Sequence, residues 1–167
     1  MKQLFLFVMF GFFCLCLLAQ TPVTVVKIID GDTYKVLCKK RVLTVRLANV
    51  DAPELKQNFG VNSKEKVETI LLGKIVLMDS LGVDKYNRII VDVRINGKAL
   101  DSILLVNGWA WHYKKYNSSK VLENYQQKAM QDHLGLWKCG VKGVCPPWVF
   151  RGLNTKNRQR FCVGCKM

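Results

Sequence analysis

VTVVKIIDGDTYKVLCKKRVLTVRLANV, residues 23–50, holds three short runs of Val, Ile, Leu and Thr, broken at Asp30-Gly31-Asp32 and again at Lys39-Lys40-Arg41. Short β-branched and aliphatic runs bounded by turn formers read as strands joined by tight turns. In the middle run Tyr34, Val36 and Cys38 share one face while Thr33, Lys35 and Lys39 share the other, so Cys38 is expected to point into the core as a buried free thiol.

Working outward, Asn62 or Ser63 opens a helix, with Glu65 three residues after Asn62 as in a capping box and Val67, Ile70 and Leu71 as its apolar stripe; Gly73 ends it. Strand character returns over residues 74–81 and 88–95. In the latter Ile89, Val91, Val93 and Ile95 alternate with Ile90, Asp92 and Arg94, and Asp84-Lys85-Tyr86-Asn87 makes the turn between the two. A second helix over residues 99–107 buries Leu100, Ile103 and Leu104 and stops at Gly108; a third runs from about Ser119 to Leu134, before Gly135. Five strands with one helix after the third and two after the fifth define an α+β fold, a five-stranded OB-fold barrel with three α-helices, because closure removes the exposed edges of short strands.

Two segments flank this unit. Met1-Lys2-Gln3 followed by the apolar run Leu4 to Leu18 and polar Gln20-Thr21-Pro22 reads as a secretory signal peptide over residues 1–19, the run being shorter than the ~20 apolar residues of a membrane span. An uncleaved anchor is the competing reading, and the bulky residues before Cys14 and Cys16 argue against lipidation. After the domain at 20–137, residues 138–167 turn to Cys, Gly, Pro and basic residues, a cysteine-containing C-terminal tail expected to pack on the barrel through Trp148 and Phe150. Export implies an oxidising compartment, so Cys139, Cys145, Cys162 and Cys165 are expected as two disulfides rather than a zinc site, with three connectivities open.

A surplus of 26 Lys and Arg over 12 Asp and Glu, net +14, favours a polyanion as partner without proving one, since many exported proteins are basic. Chemistry gathers in three pieces: Asp30-Gly31-Asp32-Thr33, Arg46 through Glu54, and Asp84 through Arg88. Alone, the first is an ordinary Asp-Gly turn and the second an ion-paired strand end. The only histidines, His112 and His133, lie far from the acids in sequence, which argues against a histidine-rich zinc hydrolase. Lys39-Lys40-Arg41 and Lys114-Lys115 would add phosphate contacts, whereas Trp109 and Trp111 read as packing residues.

In this order and spacing the three pieces resemble the staphylococcal nuclease (thermonuclease) family over residues 23–137, through the Gly-Leu-Trp ending at Trp137, and Pro146-Pro147-Trp148-Val149-Phe150-Arg151 looks like the ending of many bacterial relatives. The resemblance implies an OB barrel that hydrolyses the 5′ P–O bond of DNA and RNA, leaves 3′-phosphates and requires calcium (Ca2+). It implies Asp32, Asp51 and the Ala52 carbonyl as metal ligands, an oxygen set suited to a hard cation. By the same resemblance Arg46 and Arg88 hold the phosphate, Glu54 acts on the attacking water, Lys85 and Tyr86 meet a terminal phosphate, and Tyr116 lies against base or phosphate. Ala52 replaces the threonine of many relatives and Asn87 the common glycine. The expectation is a secreted or periplasmic, monomeric nuclease free of the membrane after cleavage. Its rivals are a non-catalytic OB module that only binds nucleic acid, and a redox role for the Cys162-Val163-Gly164-Cys165 pair.

Overall fold

The computed structural model describes residues 20–164; the signal-peptide reading of residues 1–19 and the pairing of Cys165 fall outside them. In chain order the elements are β1 (Thr21–Ile28), β2 (Thr33–Cys38), β3 (Arg41–Leu47), β4 (Val50–Asp51), α1 (Gly60–Leu71), β5 (Ile75–Val83), β6 (Ile89–Ile95) and β7 (Lys98–Ala99). They continue with α2 (Leu100–Val106), β8 (Trp111–His112), α3 (Lys120–Gln131), a 3-10 turn at Gly135–Trp137, α4 (Pro147–Gly152) and α5 (Thr155–Phe161).

The long strands run in the order β3-β2-β1-β5-β6, all neighbours antiparallel. Parallel pairing of β3 with β6, Val45 to Ile89 through Leu47 to Val91, then closes them into the five-stranded OB barrel. Closure hides the two edges that an open five-stranded sheet would expose. Inward alternation fills the interior with Val23, Val25, Tyr34, Val36, Val45 and Val91, each at most 2% exposed, while Val67 and Leu71 of α1 and Leu100 and Leu104 of α2 cover it. Lys39 and Lys40 both take positive φ, as a two-residue turn matched to strand twist requires.

Several local expectations shift. α1 starts at Gly60, not at Asn62 or Ser63, and its N-cap Phe59 makes no side-chain cap bond, so the capping box does not form. The reason is packing: a Cβ on Gly60 would stand 1.9 Å from the Glu54 carbonyl oxygen, so only glycine lets the helix begin against that loop. Ser63 is buried inside the helix and its hydroxyl donates to the Trp109 carbonyl (2.7 Å). Cys38 is a free thiol but half-buried, since β2 ends there and the hairpin leaves it at the barrel rim. Thr33, expected outside, is buried, and Ile103 is less buried than its neighbours Leu104 and Leu105.

A short second ladder lies outside the barrel: β4 pairs with β8, setting Val50 opposite His112 and Asp51 opposite Trp111. His112 is 2% exposed, and burial, with the Lys114 charge second, holds its imidazole below the ordinary range. The folded chain thus keeps the ring neutral where the unfolded chain takes a proton near about pH 6.5. This contribution to stability is full above that pH and is lost as pH falls through the folded value. Denaturant titrations from pH 8 to pH 4 are expected to show the parent losing stability relative to His112→Gln below about 6.5, with a difference in slope of up to one proton.

Candidate active site

Barrel closure brings the start of β2, the end of β3 and the start of β6 to one place. Thr33 pairs with Arg46, Arg46 with Ile90, and the Leu47 amide donates to the Asp32 carbonyl (3.0 Å). The turn before β2 is built for this position. Asp30 Oδ1 accepts from the backbone amides of Asp32 (3.0 Å) and Thr33 (2.7 Å), and the buried Tyr34 hydroxyl donates to the Gly31 carbonyl (2.8 Å). A Cβ on Gly31 would sit 2.2 Å from Ser63 Oγ and 2.6 Å from the Ala52 methyl, so the turn docks directly on α1 and on the loop after β4.

Asp32 and Asp51 are both buried. Asp32 Oδ2 accepts from the Ala52 amide (2.7 Å) and Oδ1 from the Thr33 hydroxyl (2.9 Å), which ties the first carboxylate to the backbone beside the second. Between them lies Arg46: its Nη2 is 2.9 Å from Asp51 Oδ1 and 3.4 Å from Asp32 Oδ2, and its Nη1 donates to the carbonyls of Leu47 (2.6 Å) and Val50 (3.2 Å). Burial works against the Arg46 charge, but Asp32 and Asp51 outweigh it and hold the guanidinium more firmly protonated than usual. Burial, followed by repulsion from Asp32, pushes Asp30 up to about 7; burial also raises Asp51, and hydrogen bonds from Arg151 only partly offset it.

Arg88 enters from the turn before β6. Its Nε and Nη2 grip Asp84 Oδ2 (2.8 and 2.7 Å) and its Nη1 donates to the Thr33 hydroxyl (3.3 Å). Burial opposes the ionised Asp84, but hydrogen bonds from the Arg88 amide and guanidinium together outweigh it and lower its pKa. Tyr86 lies under both Lys85 and Arg88, with ring distances of 5.0 and 5.4 Å. Asn87 holds the turn at φ 60, the left-handed region where glycine is usual and asparagine is tolerated. Glu54 sits in a tight turn whose carbonyl accepts from the Gln57 amide (2.7 Å).

All nine residues singled out from sequence, Asp32, Arg46, Asp51, Ala52, Glu54, Lys85, Tyr86, Arg88 and Tyr116, line one cleft of about 970 Å³. Lys115 also lines it, while Lys114 is drawn away to Glu123. Trp111 packs edge-on to Trp137 (4.5 Å), as expected of a packing residue.

The sequence reading missed Arg151. From α4 it reaches back across the cleft: Nη1 donates to Glu54 Oε1 (2.7 Å) and Asp51 Oδ1 (3.2 Å), and Nη2 to Asp51 Oδ2 (2.7 Å). Its helix is anchored at several points. Trp148 stacks on Tyr113 (5.5 Å, 10° between planes), and Tyr113 in turn lies under the Arg46 guanidinium (5.7 Å). Gln57 Nε2 donates to the Cys145 carbonyl (2.5 Å), and Arg158 covers the Phe150 ring and donates to the Phe150 carbonyl (2.8 Å). The tail thus packs on the domain through Trp148 as expected, whereas Phe150 is buried beneath Arg158 of the tail itself, and the tail forms two helices braced by a Cys145–Cys162 disulfide. That bond removes Cys162 from the Cys162–Cys165 pair considered as a redox couple; Cys139 is also disulfide-bonded. The one signal that pointed to Arg151 was the Pro-Pro-Trp-Val-Phe-Arg ending itself, a helix start with proline at its first position.

The family model of staphylococcal nuclease homologues matches residues 44–139, and the chain belongs to that family. An Escherichia coli protein named "Uncharacterized endonuclease" is 34% identical over 152 residues, 90% of this chain and 98% of that protein. A Haemophilus influenzae protein of the same name is 34% identical over 123 residues, 73% of this chain and 69% of its own length. A staphylococcal-like nuclease of Arabidopsis thaliana is 31% identical over 125 residues, 75% of this chain and 38% of that longer protein.

Two outcomes are expected from this arrangement. Gly31→Ala should destabilise the chain by about 1–3 kcal/mol through overpacking, read as a lowered denaturation midpoint. Replacing both Cys145 and Cys162 by serine opens a loop of sequence separation 17 and should weaken tail docking by about 3 kcal/mol, read as protease cleavage between residues 146 and 162 while the barrel stays intact.

Proposed function

We propose that this chain is a calcium-dependent nuclease that hydrolyses phosphodiester bonds of DNA and RNA at the 5′ P–O bond and leaves 3′-phosphates, acting outside the cytoplasm after removal of residues 1–19. The observation that carries the reading is the convergence of two buried carboxylates, Glu54 and two arginines on one cleft at the barrel's closing seam. The cleft offers a metal only oxygen donors, and burial, with repulsion from Asp32 as a lesser cause, raises both half-buried Asp30 and buried Asp51, a cost that a hard divalent cation relieves. Asp32, Asp51 and the Ala52 carbonyl would hold it. Among the described residues no three His, Cys, Asp or Glu side chains form a ready cluster, so backbone, water and substrate oxygens complete the set. When bound, the cation supplies charge that stabilises the developing phosphorane.

The protein's own groups do the rest. Arg88, braced by Asp84 and Thr33, presents a planar fork at the cleft wall, and Arg46 stands at its floor; both complement charge growing on the equatorial phosphate oxygens. Glu54 orients the attacking water and accepts its proton as the new P–O bond forms, while the 5′ oxygen leaves and takes a proton from solvent. Lys85, Tyr86 and Tyr116 line the same cleft, where they bind the flanking phosphate and base.

Digestion of single-stranded DNA by the chain from Gln20 onward, with calcium and with chelator, tests this reading. Cutting should require calcium, and Arg46→Lys or Arg88→Lys should each lower kcat by about 10³-fold, because a lysine cannot reproduce the bidentate fork. Binding of DNA without cutting across a wide calcium range, by a folded chain, would make this a nucleic-acid-holding barrel instead.

A further inference from the structure

Arg151 is unlike the other cleft arginines in where it comes from and in what it holds. It stands 97 and 100 positions from its partners, on a helix outside the barrel, and its fork spans the two acids assigned to the metal and to the water. Asp51 is almost wholly enclosed, its side chain 2% exposed, whereas the Arg151 side chain is 44% exposed, so solvent and ligand reach the guanidinium but not the carboxylate beneath it. The helix is fixed by the Trp148–Tyr113 stack, the Arg158 bracket and the Cys145–Cys162 bond, leaving the side chain as the part free to turn. Arg151 lines the same cleft as Arg46 and Arg88.

Building on the calcium-dependent reading above, we infer that Arg151 is a third phosphate-binding arginine, delivered by the tail and parked on Asp51 and Glu54 as their counterion until the metal arrives. The charge logic is direct. Arg46 already holds Asp51 Oδ1, whereas Asp51 Oδ2 and Glu54 Oε1 meet Arg151, and a buried carboxylate oxygen left unanswered is costly, so the guanidinium stays there until another cation replaces it. With a dication held by Asp32 and Asp51, Arg151 would lose its place on Asp51 through like-charge repulsion and would be released from the carboxylate. The released fork would remain in the same cleft as Arg46 and Arg88, free to take a phosphate, to which a guanidinium bonds in the same bidentate manner. Arg151 therefore weakens calcium binding in the absence of substrate and strengthens phosphate binding in the presence of calcium. Metal and phosphate become coupled ligands, each favouring the other through one side chain.

The test compares the parent protein with Arg151→Ala and Arg151→Lys, and circular dichroism with thermal melts confirms that each is folded. Calcium affinity without nucleotide, by calorimetry, should rise about tenfold in Arg151→Ala, since a cation beside a carboxylate shifts its affinity for positive charge on that scale. Affinity of the calcium-loaded protein for a deoxymononucleotide carrying one phosphate should fall about tenfold or more in the same variant, with Arg151→Lys between it and the parent. Tighter calcium with unchanged nucleotide binding would reduce Arg151 to a plug and overturn the inference, as would unchanged calcium affinity. If the parent itself binds neither calcium nor the nucleotide, the calcium-nuclease reading fails before Arg151 is tested, and the inference falls with it.

Discussion

Parallel pairing of β3 with β6 is the contact on which the rest depends. Without it five strands make an open sheet with two bare edges; with it they make a barrel whose seam gathers Asp32, Arg46 and Arg88 from three strand ends. The seam also explains why charged groups are buried there. Arg46 sits where the parallel strands meet, so its guanidinium must find partners inside, and it finds them in two carboxylates and the carbonyls of Leu47 and Val50. Each charge is tolerable because the other is present, and removing either partner leaves an uncompensated ion in a low-dielectric site.

Asp51 is held differently from the rest, and the difference matters for the chemistry. It belongs to a two-residue strand outside the barrel, pinned by the β8 ladder and backed by the Trp111–Trp137–Trp148 aromatic group. The barrel fixes Asp32 while the aromatic layer fixes Asp51, so the spacing between the two carboxylates depends on how barrel and layer are joined. Gly31 and Gly60 are the places where that join is tightest, each admitting no side chain against the opposing loop or helix.

What the sequence disclosed follows this division. The strands, the order of the helices and the nine cleft residues were legible because alternation and turn chemistry are local, and because the family resemblance rests on motifs lying within the barrel. α1's early start was not, because it is set by the approach of Gly60 to the Glu54 loop rather than by the helix's own residues. Cys38 misled because alternation gives a face but not how far from the barrel's end a residue lies. The tail's helices were not read because helices of six and seven residues are marginal alone and carry little periodicity; disulfide, stacking and cation contacts hold them instead. Arg151 was hidden for the same reason, since nothing local announces a contact that bridges 100 positions.

That separation also orders events in time. A chain made from its amino end can complete every barrel strand and α1 to α3 before residue 151 exists, as domains generally fold in the order they emerge. The cleft thus forms in two stages, first with Asp32 and Asp51 met by Arg46, and later with a second cation for Asp51 supplied by the returning tail. A nascent or truncated chain carries the fold without the finished electrostatics, so maturity of this protein is a property of its last helices rather than of its barrel.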